Sequence, residues 1–102
     1  MRRGEVRALH SIRATDQYAL IIGSDALNES ESTGWVIAAP IDTLGHSPDL
    51  LVTVRITQPI GGTVRLDSIT SVRKARVGDL VGRVTPDVMD GIGIALRAAL
   101  DL

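Results

Sequence analysis

Short apolar runs broken by turn-forming residues set the tightest limit on how this chain can fold. Glu5–Leu9 (EVRAL) alternates polar and apolar side chains, as a half-buried strand does. Residues 18–22 (YALII) and 35–39 (WVIAA) are continuously apolar, too short for helices, and stopped by Gly23 and Pro40, so each predicts a buried strand. Pro40 marks the expected exit from the sheet. Residues 50–56 (LLVTVRI) and 63–66 flank QPIGG, a turn-rich link that predicts an antiparallel hairpin. Between these lie polar segments at 10–17 and 29–34, a Ser24 cap with one helical turn over 24–28, and a loop over 42–49, DTLGHSPD.

Only the last stretch has helical spacing. Thr85, Pro86 and Asp87 supply a hydroxyl cap, a proline at the first helical position and an acid favoured by the helix dipole. Met89, Ile92, Leu96 and Leu100 then recur every three or four residues as an apolar stripe. Gly91 and Gly93 interrupt it at a cost of about 1 kcal/mol each relative to Ala, which reads either as tolerance or as close approach of another backbone. Short strands followed by one terminal helix predict a mainly β, small antiparallel barrel.

The stretch 63–82 (TVRLDSITSVRKARVGDLVG) carries the chemistry. Arg65 and Asp67 alternate with Val64 and Leu66, which puts a guanidinium and a carboxylate side by side on the outer face of a strand. They form either a surface ion pair or two members of a phosphodiester site. Arg73, Lys74 and Arg76 follow in a basic turn before the apolar run 80–84.

Composition removes several function classes. A chain of 102 residues fits one domain, residues 1–102. No apolar run reaches the roughly 18 residues of a membrane span and the N-terminus has no apolar leader, which leaves a cytoplasmic location as the expectation. There is no cysteine, and the histidines, His10 and His46, are too few for a metal site, so no metal and no cofactor are expected. The net charge of −1 hides segregation: residues 14–54 hold six acids and no Lys or Arg, whereas residues 55–83 hold six cations against Asp67 and Asp79. If this basic segment meets the arginines of residues 1–13, the fold has a face suited to an anionic partner. Trp35 is expected in the core, and with Tyr18 it is the whole aromatic complement, so platforms for stacking bases are scarce. His46 is either an acid-base group reaching a groove or a solvated loop residue.

Several strings, in order, resemble the MazF/PemK (Kid) toxins of bacterial toxin-antitoxin pairs, which share a fold with the gyrase poison CcdB. They are MRRGEV at 1–6, LIIGSDALN at 20–28, VIAAPIDT at 36–43, VRLDSITSVRKARVGDLVGRVTP at 64–86 and ALRAALDL at 95–102. The resemblance implies a homodimeric, SH3-like barrel with a C-terminal helix, held in check by a MazE-like antitoxin whose acidic, extended tail occupies the basic groove. It also implies metal-independent cleavage of single-stranded RNA, in which the ribose 2'-hydroxyl attacks its own phosphate and leaves a cyclic phosphate. Arg65 matches the position of the charge stabiliser and Asp67 that of the base.

The remaining site positions depart from the family. Gln17 and Tyr18 stand where members usually carry Arg-Pro, Asp42 and its neighbour Thr43 where many have a catalytic Thr or Ser, and Ser68 where an Asp-Gln pair would end. Gln17, Asp42 and Thr43 thus join Arg65 and Asp67 as candidate catalytic residues, with Arg3, Arg13, His46, Arg73, Lys74 and Arg76 as candidate RNA-phosphate ligands. Three functions stay open: a toxin endoribonuclease, a CcdB-like toxin binding DNA gyrase, and a degenerate member that only binds the antitoxin or RNA. The missing aromatic tail, the chain ending Ala99, Leu100, Asp101, Leu102, speaks against the gyrase binder.

Overall fold

A computed structural model describes residues 1–10 and 17–101. In chain order its elements are β1 (Glu5–Leu9), β2 (Gln17–Ile21), α1 (Asp25–Glu29), β3 (Trp35–Asp42), β4 (Thr53–Ile56), β5 (Gly62–Arg65), β6 (Thr70–Arg73), β7 (Val77–Arg83) and α2 (Pro86–Leu100), with single 3-10 turns at Leu66–Ser68 and Lys74–Arg76. The strands pair in the order β4-β5-β3-β2-β1-β7, every pairing antiparallel. β6 lies beside the first half of β3, against residues 35–38, while β5 takes its end at Ile41 and Asp42. The mainly β architecture with a terminal helix is therefore as expected. The expected barrel is an open one, because β4 and β7 end the sheet as its two edges.

Three local differences matter for the site. Pro40 does not end β3: it pairs with Ala19 and the strand runs on to Asp42. Residues 39 and 40 fall where β6 has stopped and β5 has not begun, and on such an unpaired flank a residue without an N–H is tolerated. β4 starts at Thr53 rather than at residue 50, because Thr53 Oγ1 accepts from Leu50 N at 3.0 Å and holds residues 50–53 in a turn. β5 stops at Arg65, so Asp67 sits on a 3-10 turn and not on a strand face.

Alternation along β2 divides the core. Leu20 and Ile22 join Val6, Ile41, Val64, Leu66, Ile92 and Ala95 in the cluster beneath α2, whereas Ala19 and Ile21 join Val36, Ala38 and Val72 in a second cluster. α2 begins as the sequence predicts, with Thr85 Oγ1 accepting from Val88 N at 3.3 Å. Its stripe is shorter than expected: Ile92 and Ala95 are buried, but Leu100 is half exposed. Gly91 and Gly93 face open space, so no backbone among the described residues outside the helix approaches them. Trp35 is not core: it is 46% exposed, and the Arg73 guanidinium lies 5.1 Å from its ring centroid. Val36 and Ala38 take the buried face of that half of β3, which turns Trp35 and Ile37 to the other side.

Among the described residues, one charged group lies inside the fold. Glu5 is 3% exposed; its Oε1 accepts from Arg7 Nε at 3.0 Å and Nη2 at 2.7 Å, and its Oε2 from Arg83 Nη2 at 3.3 Å. Arg7 Nη1 donates onward to the carbonyl of Gly78 at 3.2 Å. Burial pushes the Glu5 carboxyl up, but the hydrogen bonds and charge of Arg7, with a backbone N–H bond, outweigh it and hold the pKa below its ordinary 4.5. Among the described residues no helix is long and apolar enough to cross a membrane.

Candidate active site

β3 and β5 lie side by side at one end of the sheet, Asp42 opposite Thr63 and Ile41 opposite Val64. Gly62 makes this approach possible, since a Cβ there would come within 2.9 Å of the Asp42 carbonyl oxygen and 2.8 Å of Ile41 Cγ2. The C-terminal end of β3 and the N-terminal end of β2, where Tyr18 pairs with Ile41, open on a groove of about 800 Å³. Gln17 and Tyr18 line it from β2, Asp42 and Thr43 from β3, and Ile60 and Gly61 from the β4–β5 turn.

Arg65 and Asp67 are not among the residues that line this groove; they reach its wall at Asp42 through Ser47, and they meet each other at two points. Arg65 Nε donates to Asp67 Oδ1 at 3.1 Å and Nη2 to Oδ2 at 2.6 Å, a fork-to-fork pair with each side chain about one third exposed. The 3-10 turn brings Asp67 back toward Arg65, so the contact forms without the shared strand face expected from the sequence. Asp67 takes one edge of the guanidinium only. Of its five N–H donors two are used there, and Nη1 reaches the Ser47 hydroxyl oxygen at 3.5 Å.

Ser47 ties in a second carboxylate. Its hydroxyl donates to Asp42 Oδ2 at 2.7 Å, while Asp42 Oδ1 accepts from Leu44 N at 2.9 Å. Asp42, Ser47, Arg65 and Asp67 therefore form one chain of polar contacts from the groove wall to the 3-10 turn. The hydrogen bond from Arg65, and its charge, depress the Asp67 carboxyl against a modest opposing effect of burial. The Ser47 hydroxyl, then the Leu44 N–H, depress Asp42 in the same way. Arg65 is raised by its hydrogen bond to Asp67 and by the charges of Asp67 and Asp42.

The other candidates separate. Gln17 and Thr43 share the groove with Asp42. His46 is exposed in the loop after β3. Arg76 lies at the Leu9 end of β1, its carbonyl accepting from His10 N at 2.7 Å. Arg3 is at the opposite end of β2, with Nε donating to the carbonyl of Ile22 at 3.2 Å. Arg73 pairs with Trp35 at the start of β3, about 23 Å along the strand from Asp42. Lys74 Nζ donates to the Ser30 carbonyl at 2.6 Å. Among the described residues, Arg3, Arg73, Lys74 and Arg76 thus do not gather around Arg65. Arg13 lies outside the described residues. Ser47 is the residue that sequence reasoning missed, and its only signal was its place in a loop beside Asp42. Among the described residues no group of three or more His, Cys, Asp or Glu side chains is placed to hold a metal ion.

Comparison with known proteins gives a consistent picture. Residues 5–100 match the family described as PemK-like, MazF-like toxin of type II toxin-antitoxin system. Endoribonuclease MazF1 of Mycobacterium bovis and endoribonuclease MazF4 of Mycobacterium tuberculosis are each 34% identical over 83 residues, 81% of this chain and 77% of theirs. A mycobacterial endoribonuclease solved in complex with its cognate antitoxin superposes with a TM-score of 0.87 at 30% identity, covering 100% of this chain and 96% of its own. The MazF of a MazE-MazF complex from Deinococcus radiodurans, at 19% identity, a TM-score of 0.81 and coverage of 100% and 96%, shares the fold. This chain belongs to the PemK-like, MazF-like toxins of type II toxin-antitoxin systems.

Proposed function

We propose that the chain is the toxin of a toxin-antitoxin pair and cleaves single-stranded RNA without a metal. The observation that carries this reading is the Arg65–Asp67 pair, fixed at two points and linked through Ser47 to Asp42 on the wall of an open groove, while the rest of the guanidinium stays unbound by Asp67. A family whose relatives are endoribonucleases adds to it. In the reaction, the 2'-oxygen forms a bond to its neighbouring phosphorus and the bond from phosphorus to the 5'-oxygen breaks. Asp67 accepts the 2'-hydroxyl proton, and the leaving 5'-oxygen takes a proton from water. Arg65 stabilises the charge of the phosphorane with the N–H groups that Asp67 leaves unused. Gln17 and Thr43 donate hydrogen bonds across the groove, and Asp42, kept ionised, acts on Arg65 rather than on the phosphate. Because the nucleophile belongs to the substrate, no metal-bound water is required.

The same reading gives residues 1–102 one toxin domain, a cytoplasmic location, a homodimer, and a MazE-like antitoxin whose acidic segment competes with RNA. An antitoxin-bound mycobacterial relative supports that partner. Incubating the purified protein with mixed RNA in EDTA tests the chemistry. Fragments ending in 2',3'-cyclic phosphate are expected, and Arg65→Ala and Asp67→Ala should each abolish them. Intact RNA removes the reading, and intact RNA together with arrested gyrase supercoiling replaces it with a CcdB-like activity.

A further inference from the structure

We infer that Ser47 is a positioning residue of this site: its hydroxyl couples the Asp42 carboxylate to the Arg65 guanidinium and sets the angle at which Arg65 meets the phosphate. The inference rests on the cleavage reading above. A serine hydroxyl has one hydrogen to give and lone pairs to receive. Here the hydrogen goes to Asp42 Oδ2 at 2.7 Å, which leaves the oxygen to accept from Arg65 Nη1 at 3.5 Å. Asp67 secures Nε and Nη2, so Ser47 is the contact on the remaining nitrogen of the fork. Contacts of this length in a free enzyme tighten once substrate is bound.

Two anchors hold Ser47 in place. In front is Asp42, whose other oxygen accepts from Leu44 N. Behind is Thr53, whose single hydroxyl hydrogen is shared between the carbonyls of Leu50 at 3.1 Å and Pro48 at 3.3 Å, and Thr53 is the residue paired with Arg65 across β4 and β5. The loop is thereby folded onto the strand pair that carries the arginine. The Asp42 carboxylate on the groove wall then has a use: it orients Ser47.

Ser47→Ala and Ser47→Thr test this, with kcat and KM measured on a short fluorogenic RNA. Ser47→Ala should lower kcat about tenfold with KM changed less than twofold, the pattern of a lost alignment rather than lost binding. Ser47→Thr, which keeps the hydroxyl, should recover to within about threefold of the parent. A parent-like kcat in Ser47→Ala, or a Thr variant as impaired as the Ala variant, overturns the inference. NMR keeps the question separate from the activity itself. The Asp42 carboxyl, which faces Arg65 and the N–H of Leu44, should titrate at higher pH in Ser47→Ala but not in Ser47→Thr, and the Arg65 Nε–H resonance should move with it. An inert parent protein would remove the cleavage reading alone; unmoved Asp42 and Arg65 signals would remove Ser47's role whatever the activity.

Discussion

Two ion pairs in this molecule join an arginine to an acid two residues away, and they end in opposite situations. Glu5 and Arg7 are two apart on β1, and Arg65 and Asp67 are two apart across the end of β5. At Glu5 both carboxylate oxygens are taken, by Arg7 and Arg83, and Arg7 spends its third nitrogen on the carbonyl of Gly78. Glu5 and Arg7 are thereby spent on each other and on their neighbours. At Arg65 the carboxylate occupies one edge of the guanidinium and the other edge has a single long contact. A pair is equipped for function by the bonds it has not made, and for stability by having made them all.

The largest effect should come from Arg65→Ala, with RNA cleavage falling about 10³-fold, as for loss of a principal transition-state donor. Its melting temperature should stay within a few degrees of the parent, because the pair is one third exposed. An unfolded variant would break the contrast. Glu5→Gln should do the reverse. Leaving Arg7 and Arg83 without their carboxylate should cost about 3 kcal/mol in urea unfolding, while the folded fraction retains its specific activity. A smaller change sharpens the point from the other side: Gln17→Arg places a cation with free donors in the groove and should tighten binding of a 2'-deoxy oligonucleotide roughly tenfold by fluorescence anisotropy. Unchanged binding would mean that the phosphate does not pass Gln17.

The smallest effect concerns pH. Glu5 has a folded pKa below its ordinary 4.5, so its contribution is fully present above about that pH and is lost as the pH falls through the depressed folded value. Chemical denaturation between pH 6 and pH 3 should show this decline, and Glu5→Gln should flatten it.

Much of this fold was legible in the sequence because its signals are local. The cap at Thr85, the hairpin around QPIGG and the apolar runs of β2 and β3 each depend on residues within a few positions. What escaped depends on partners distant in sequence. Pro40 remains in β3 because of where β5 and β6 begin and end, and Trp35 is exposed because Val36 takes the inner face. The meeting of Arg65 and Asp67 was foreseen, but from the wrong geometry: a strand face was expected where a 3-10 turn is found. Asp42 read only as a departure from the family pattern, because Ser47, five residues on, carries no pattern that announces a bridge. Nor does charge counting see where a cation is held: Arg3 and Lys74 are engaged by the carbonyls of Ile22 and Ser30, away from Arg65.

Leu66 separates the two members of the outer pair and is itself 1% exposed, in the same cluster as Ile92 and Ala95 of α2. Its N–H also donates to the Val52 carbonyl at 2.9 Å. The reach between guanidinium and carboxylate is therefore pegged from below by the oily interior, so the terminal helix acts as ballast for the chemistry above it. Substitutions on the inner side of α2, remote from RNA, should blunt the toxin by letting that peg shift, and a selection for harmless variants would recover them alongside changes at Arg65.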